Sequence, residues 1–256
     1  SVPRLGYLYF RDNYFLGLDS FLNNSKENFV YLPTLVGNKS FIDFNTIVKY
    51  SGVYENKIML EQELLSYGDF IKMFFFILNY PFRVLSFSLR LKKNNIVEEH
   101  LRNEMLLNIR YVSVQNYSRY LIGKQLAKIP WKKLKIISWY ENQASDKNFY
   151  RGSKHTLGKV EIIGTQFFWR PATYLFINPD EQEIPFNVVP DKILVDGSAK
   201  CFESNKIKVE VGPTLRDNGL FKARDIEPSK GEFILVLMSY YYHINDFIMT
   251  AIMEID

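Results

Sequence analysis

The sequence predicts an α/β protein built on a doubly wound parallel sheet, with helical and irregular N-terminal additions. Three observations carry this. From residue 134 onward, short continuous apolar runs alternate with stretches of helical composition. Each run stops abruptly in polar or turn-forming residues, as strands buried on both faces do. The segments between runs are long enough for crossover connections.

Taken in order, residues 1–60 are aromatic, polar and turn-rich, with one short strand expected at Phe29 to Leu32 before a Pro-Gly-Asn loop. Residues 58–92 have helical composition, but Pro81 is expected to break the helix into a buried pair. Val97, Leu101, Met105, Ile109 and Val112 recur mostly every fourth residue, which predicts an amphipathic helix over 96–112. A second helix is expected over 117–127. "LKIISWYEN" then reads as a strand, and "SDKNFYRGSKHT" as a helix capped by Ser145. "KVEIIGTQFF" is the next strand. "PDKILVDGSAKCF" reads as a short strand running into a helix, and "IKVEVGPTLR" and "GEFILVLMS" as two more strands.

Composition narrows the function classes. At 256 residues, with 47% hydrophobic and 23% charged, the chain is an ordinary globular one, not a disordered one. Its one cysteine, Cys201, can form neither an internal disulfide nor a cysteine-based metal site, which fits a reducing compartment. Only His100, His155 and His243 are available for a zinc site. Aromatic residues reach 16%, which reads as a core rich in Phe and Tyr. There is no GxGxxG after a strand, GxxxxGK[ST], HExxH, GxSxG or CxxC. That argues against dinucleotide oxidoreductases, P-loop NTPases, zincins and α/β-hydrolases.

Net charge is +4, but its distribution is uneven. Between Arg90 and Lys135 there are 11 Lys/Arg against 3 Glu, a local +8, so the remainder carries −4. Such a block suits phosphates, acidic sugars or an anionic membrane surface. No nucleic-acid motif accompanies it, and no nucleic acid is expected as a partner. No stretch reaches 18 uninterrupted apolar residues, so no spanning helix is expected. Phe70 to Leu91 comes nearest. Its alternative to a buried helix pair is a patch in the membrane interface, with Arg90, Lys92 and Lys93 at the headgroups.

Ligands of open parallel sheets bind beyond the carboxyl ends of the strands. That rule selects Glu141, Asn142 and Gln143, then Gln166, then Gly197, then Arg216. A partly desolvated carboxylate at a strand tip is suited to general-base work, so Glu141 is the candidate catalytic residue. Its structural alternative is to cap the next helix or pair with Arg151. Asn142 and Gln143 offer amides to hydroxyl-rich ligands. Arg151 with Gly152, and Arg170, are candidate anion contacts. A glycine after a strand, such as Gly197, is also an ordinary turn requirement.

"WYENQASDKNFYRG", "VEIIGTQFFWRPATYLF", "VVPDKILVDGSAK" and "VEVGPTLR" occur in this order, with "YLPTLVGNKSF" upstream. This set resembles bacterial surface-carbohydrate biosynthesis proteins related to GT-B glycosyltransferases, including transferases that add acidic sugars such as Kdo to capsule or lipopolysaccharide. The resemblance covers roughly residues 29–45 and 134–240. It implies a Rossmann-like acceptor domain over 1–228 with a helical insertion at about 58–130. Residues 229–256 would be a linker and the start of a truncated donor domain.

The resemblance also implies transfer of a sugar from a nucleotide-sugar donor, a CMP-linked acidic sugar among the candidates, to a glycan or glycolipid acceptor. No metal or covalently bound cofactor is implied. Glu141 would be the base. Asn142, Gln143, Arg151, Gly152, Gln166, Arg170, Asp191, Gly197 and Arg216 would form the substrate-binding set, with Pro190 and Trp169 beside them. The expected location is cytoplasmic, peripheral on the inner membrane through residues 90–135. The alternative is a non-catalytic carbohydrate or membrane-surface binding module that lacks the donor domain.

Overall fold

The computed structural model describes residues 15, 17–25, 28–34, 49, 58–91, 95–107, 109, 111–155, 160–167, 177–198, 201–202 and 204–213. All of them belong to one compact unit, Ser1–Asn218. A second unit, Gly219–Asp256, lies outside the described residues, and with it the expected strand "GEFILVLMS" and the expected linker at 229–256.

The centre is a four-stranded, all-parallel sheet of β1 (Leu134–Trp139), β2 (Val160–Gln166), β3 (Lys192–Val195) and β4 (Lys208–Val211), paired in that order. The register sets Trp139 beside Thr165, Gln166 beside Val195 and Val195 beside Val211. The fold is therefore α/β, as expected. Among the described residues the strand order runs 1-2-3-4 without reversing, so these strands contain no topological switch point of the doubly wound kind.

Helix α5 (Ala144–Ser153) connects β1 to β2, and α4 (Tyr111–Lys128) packs against α5. The core joins Ile122 and Leu126 of α4, Phe149 and Tyr150 of α5, and Tyr140, Ile162, Ile193 and Val195 of the sheet and its edge. Gly164 in β2 leaves space for the Tyr140 ring: a Cβ there would stand 2.9 Å from Cγ of Tyr140. Tyr140 is fully buried, and its hydroxyl donates to Asn142 Oδ1 at 2.8 Å.

Two expectations are corrected, and a third lies partly outside the described residues. The helix after β1 is not capped by Ser145, which lies inside it. Gln143 is the cap residue, and Asp146 reaches back to accept from the Gln143 N–H at 3.2 Å. The helix expected in "DGSAKCF" after β3 lies partly outside the described residues, which omit 199, 200 and 203. A 3₁₀ helix, Glu181–Phe186, lies in the β2–β3 connection. Pro81 does not break its helix: α2 runs unbroken from Tyr67 to Ser88.

Two further α-helices are described, α1 (Leu18–Asn24) and α3 (Ile96–Leu107). The expected strand at 29–32 is reduced to one parallel bridge, Tyr31 to Ile58. Arg119 of α4 holds this region in place. It pairs with Glu61, donates to Thr34 Oγ1 at 3.1 Å and lies over the Phe149 ring at 4.4 Å. Burial lowers its pKa from the ordinary arginine value, and nearby carboxylate and phenolic charge opposes that shift.

Candidate functional site

Parallel pairing brings the carboxyl ends of β1 to β4 to one edge, so Glu141–Gln143, Gln166, Asp196–Gly197 and Gly212 share it. The best-defined part follows β1. Trp139 Nε1 donates to Glu141 Oε1 at 2.8 Å, and Gln143 Nε2 donates to Glu141 Oε2 at 2.6 Å. Both carboxylate oxygens are thus held in a fixed orientation. Glu141 neither caps the helix nor pairs with Arg151. The cap comes from Asp146, whose Oδ2 accepts from the backbone N–H groups of Glu141 and Gln143 at 3.1 and 3.2 Å. Burial pushes the Asp146 carboxyl above its ordinary pKa, and these two backbone donors pull against that shift.

Asn142 makes the turn possible. Its φ of 58° is left-handed, a conformation Asn tolerates better than most residues. There its side chain accepts from Tyr140 and donates to the Asn178 carbonyl at 3.3 Å. These bonds tie the strand end to the β2–β3 connection. Lys147 of α5 reinforces that tie through an ion pair with Glu183 of the 3₁₀ helix, at 2.5 Å.

Gln166 is almost fully buried at the end of β2. Its Nε2 donates to the Ile177 carbonyl at 3.0 Å, and its Oε1 has no hydrogen-bond partner among the described residues. Glu183 Oε2 is likewise buried and unpaired. An unpaired buried acceptor is costly unless something donates to it. Gln166 Oε1 is therefore an unsatisfied acceptor enclosed by protein at this edge.

Other expected site residues fall elsewhere. Arg151 is exposed in the last turn of α5, well removed from the first turn beside Glu141. Gly152 is packed against α4: a Cβ on it would stand 2.0 Å from the Tyr120 carbonyl oxygen. Asp191 lies just before β3, at the opposite end of the strand from Gly197. It accepts from the Ile162 N–H at 2.7 Å and from Lys154 Nζ at 2.6 Å, so its side chain holds strands and α5 together. Gly197 follows β3 with φ 155° and open space around it. Arg170, Arg216, Trp169, Lys92, Lys93 and Arg110 lie outside the described residues.

Sequence reasoning missed Trp139 and Asp146 as the partners that orient Glu141. The Gln143–Asp146 spacing at a helix start is the signal that points to Asp146. The basic block does not form one free face, because Arg119 is paired with Glu61 and Lys135 with Glu161 at 3.3 Å. Among the described residues no group of His, Cys, Asp and Glu is arranged to hold a metal ion. Comparison with protein-family models, curated proteins and solved structures gave no match.

Proposed function

We propose that this chain is the acceptor-side part of a GT-B-type glycosyltransferase of bacterial surface-polysaccharide biosynthesis, with Glu141 as the base. The supporting observation is the oriented Glu141 carboxylate at the carboxyl end of β1, gripped by Trp139 and Gln143. In this reaction an acceptor hydroxyl gives its proton to Glu141 while its oxygen bonds to the anomeric carbon. The bond from that carbon to the nucleotide phosphate breaks, and the nucleotide leaves with the electron pair. Gln143 supplies an amide for acceptor hydroxyls. Arg170 and Arg216 are the remaining candidates for anion contacts. The donor is a nucleotide sugar, with CMP-linked acidic sugars tested first. The enzyme works from the cytoplasmic side, peripheral on the inner membrane.

The test is product analysis with a panel of nucleotide sugars and capsule or lipopolysaccharide acceptors, comparing the parent with Glu141→Gln. A loss of transfer of about 100-fold or more is expected for removal of a general base, with the thermal midpoint unchanged. Undiminished turnover in the variant removes Glu141 from the mechanism.

A second reading is a carbohydrate-binding module without transfer. The same geometry favours it in one respect: a carboxylate already accepting at both oxygens is well suited to receiving further ligand hydroxyls. Acceptor binding, with neither transfer nor hydrolysis of any nucleotide sugar, is the outcome that selects it.

A further inference from the structure

Helix α2 presents three different rows along its 22 residues. The row facing the protein is Asp69, Met73, Phe76, Tyr80, Val84 and Ser88, all buried or half-buried. Phe76 stacks on Tyr117 of α4 with ring centroids 4.4 Å apart, which fixes this row to the domain. A second row, Ile71, Phe74, Leu78, Phe82, Leu85 and Leu89, is apolar and exposed; Phe82 is 73% and Leu89 77% exposed. Beside it runs a third row, Asn79, Arg83, Ser86 and Arg90, which is polar, exposed and cationic. Residues of the third row, with Phe82 and Phe87, line a shallow open depression of about 360 Å³. Neither Arg83 nor Arg90 forms an ion pair among the described residues.

A soluble helix of this kind normally buries its apolar row, and a contiguous exposed patch marks an interaction surface. By length and composition alone α2 could cross a membrane. At 1.5 Å per residue it is about 33 Å long, close to a hydrocarbon core of about 30 Å. Two facts argue against spanning. Asn79 would sit near mid-depth and Arg83 about 8 Å from the midplane, still inside the hydrocarbon, where a charged side chain is expensive, and the inner row is tied to α4 through Phe76 on Tyr117 and Asp69 on Gln125. An apolar row beside a cationic row is instead the arrangement of a helix lying in the interface, rings among the acyl chains and guanidinium groups at the phosphates.

We propose that the solvent face of α2 docks this protein in-plane on an anionic phospholipid surface. Ile71, Phe74, Leu78 and Phe82 enter the acyl boundary, and Arg83 and Arg90 receive headgroup phosphates. The contact surface is thus the 67–91 helix, the segment that the sequence offered as an interfacial alternative to a buried pair, and not the whole block at 90–135. The inference deepens the peripheral-membrane part of the reading above and does not depend on transfer chemistry. Vesicle binding and sugar transfer are measured separately, so either can fail alone.

The full chain is cosedimented with phosphatidylcholine vesicles, with and without phosphatidylglycerol. Binding is expected only to the anionic vesicles, and high salt should release it. Arg83→Gln and Arg90→Gln should each weaken binding about fivefold, and Phe74→Ser with Phe82→Ser should abolish it. Circular dichroism melts confirm that these surface variants fold. Emission from Phe74→Trp and Phe82→Trp, read against the parent chain, should be quenched equally by lipids brominated near the headgroups. The proposal is overturned by absent binding at low salt, by equal binding to neutral vesicles, or by binding indifferent to the arginine and phenylalanine variants. Deep quenching of both tryptophans, by lipids brominated near the ends of the acyl chains, would overturn it in favour of a spanning helix. A concentration-dependent dimer lost in Phe74→Ser, without vesicle binding, would assign the face to a second copy.

Discussion

Gly152 of α5 rests on the backbone of α4, and Gly123 of α4 rests on the backbone of α5. A Cβ on Gly152 would stand 2.0 Å from the Tyr120 carbonyl oxygen, and one on Gly123 would stand 2.3 Å from that of Phe149. The two glycines let the helices meet backbone to backbone at this crossing. That contact sets the position of α5, and the first turn of α5 frames Glu141.

Alanine at either position is therefore expected to destabilise, although alanine favours helix by up to about 1 kcal/mol over glycine. Overpacking against rigid backbone costs about 1–3 kcal/mol or more. Net losses of about 2 kcal/mol should lower the thermal midpoint by about 4–8 °C in a domain of this size. For Gly152 the measurement also separates packing from ligand contact. A variant with an unchanged melt but weakened acceptor binding would return Gly152 to the binding set.

Asp69 makes a second prediction, in acid. It is almost fully buried at the start of α2, where burial pushes its carboxyl upward. Hydrogen bonds from Lys72, Ser66 and Gln125 outweigh that and hold it well below the ordinary carboxylate range. Its folded-state pKa is depressed, so its contribution to stability is fully present above the unfolded value near 3.8. The contribution is lost as pH falls below that value toward the folded one. Asp69→Asn should cost about 1–2 kcal/mol at neutral pH. The variant should also lose less stability than the parent between neutral pH and strong acid. Melts recorded across that range check it. Parallel acid profiles for the two proteins would show that Asp69 carries no such linkage.

The sheet was legible in the sequence because its strands are short apolar runs with polar ends, and α5 because a cap-type residue and a helical first turn follow β1 directly. What escaped was decided by tertiary contact. Pro81 removes one N–H, yet α2 continues through it, with its inner face packed on α4 and Asn79 Nδ2 donating to the Phe75 carbonyl at 2.8 Å. Glu141 was selected by the strand-end rule alone. The orientation of its carboxylate depends on Trp139 and Gln143 folding back onto it, and neighbour identity does not encode that. Asp191 entered the binding set through the family resemblance and Gly152 as the neighbour of Arg151, and only the packing shows what each touches.

Asp146 supplies the last prediction, because it acts on the site through the turn. Its Oδ2 alone accepts from the N–H groups of Glu141 and Gln143, which fixes the strand end relative to α5. Removing it in Asp146→Ala leaves both donors without that partner and removes the helix cap, at a cost of about 1–2 kcal/mol. The turn then loosens, and the Trp139–Glu141–Gln143 arrangement loses its support. Acceptor affinity should fall even though Asp146 is not proposed to touch ligand. Asp146→Asn keeps one acceptor oxygen and should recover most of the stability and binding. Calorimetry of acceptor binding beside thermal melts distinguishes the two variants. If alanine lowers the melt but leaves acceptor binding intact, Asp146 is a helix cap with no part in positioning Glu141.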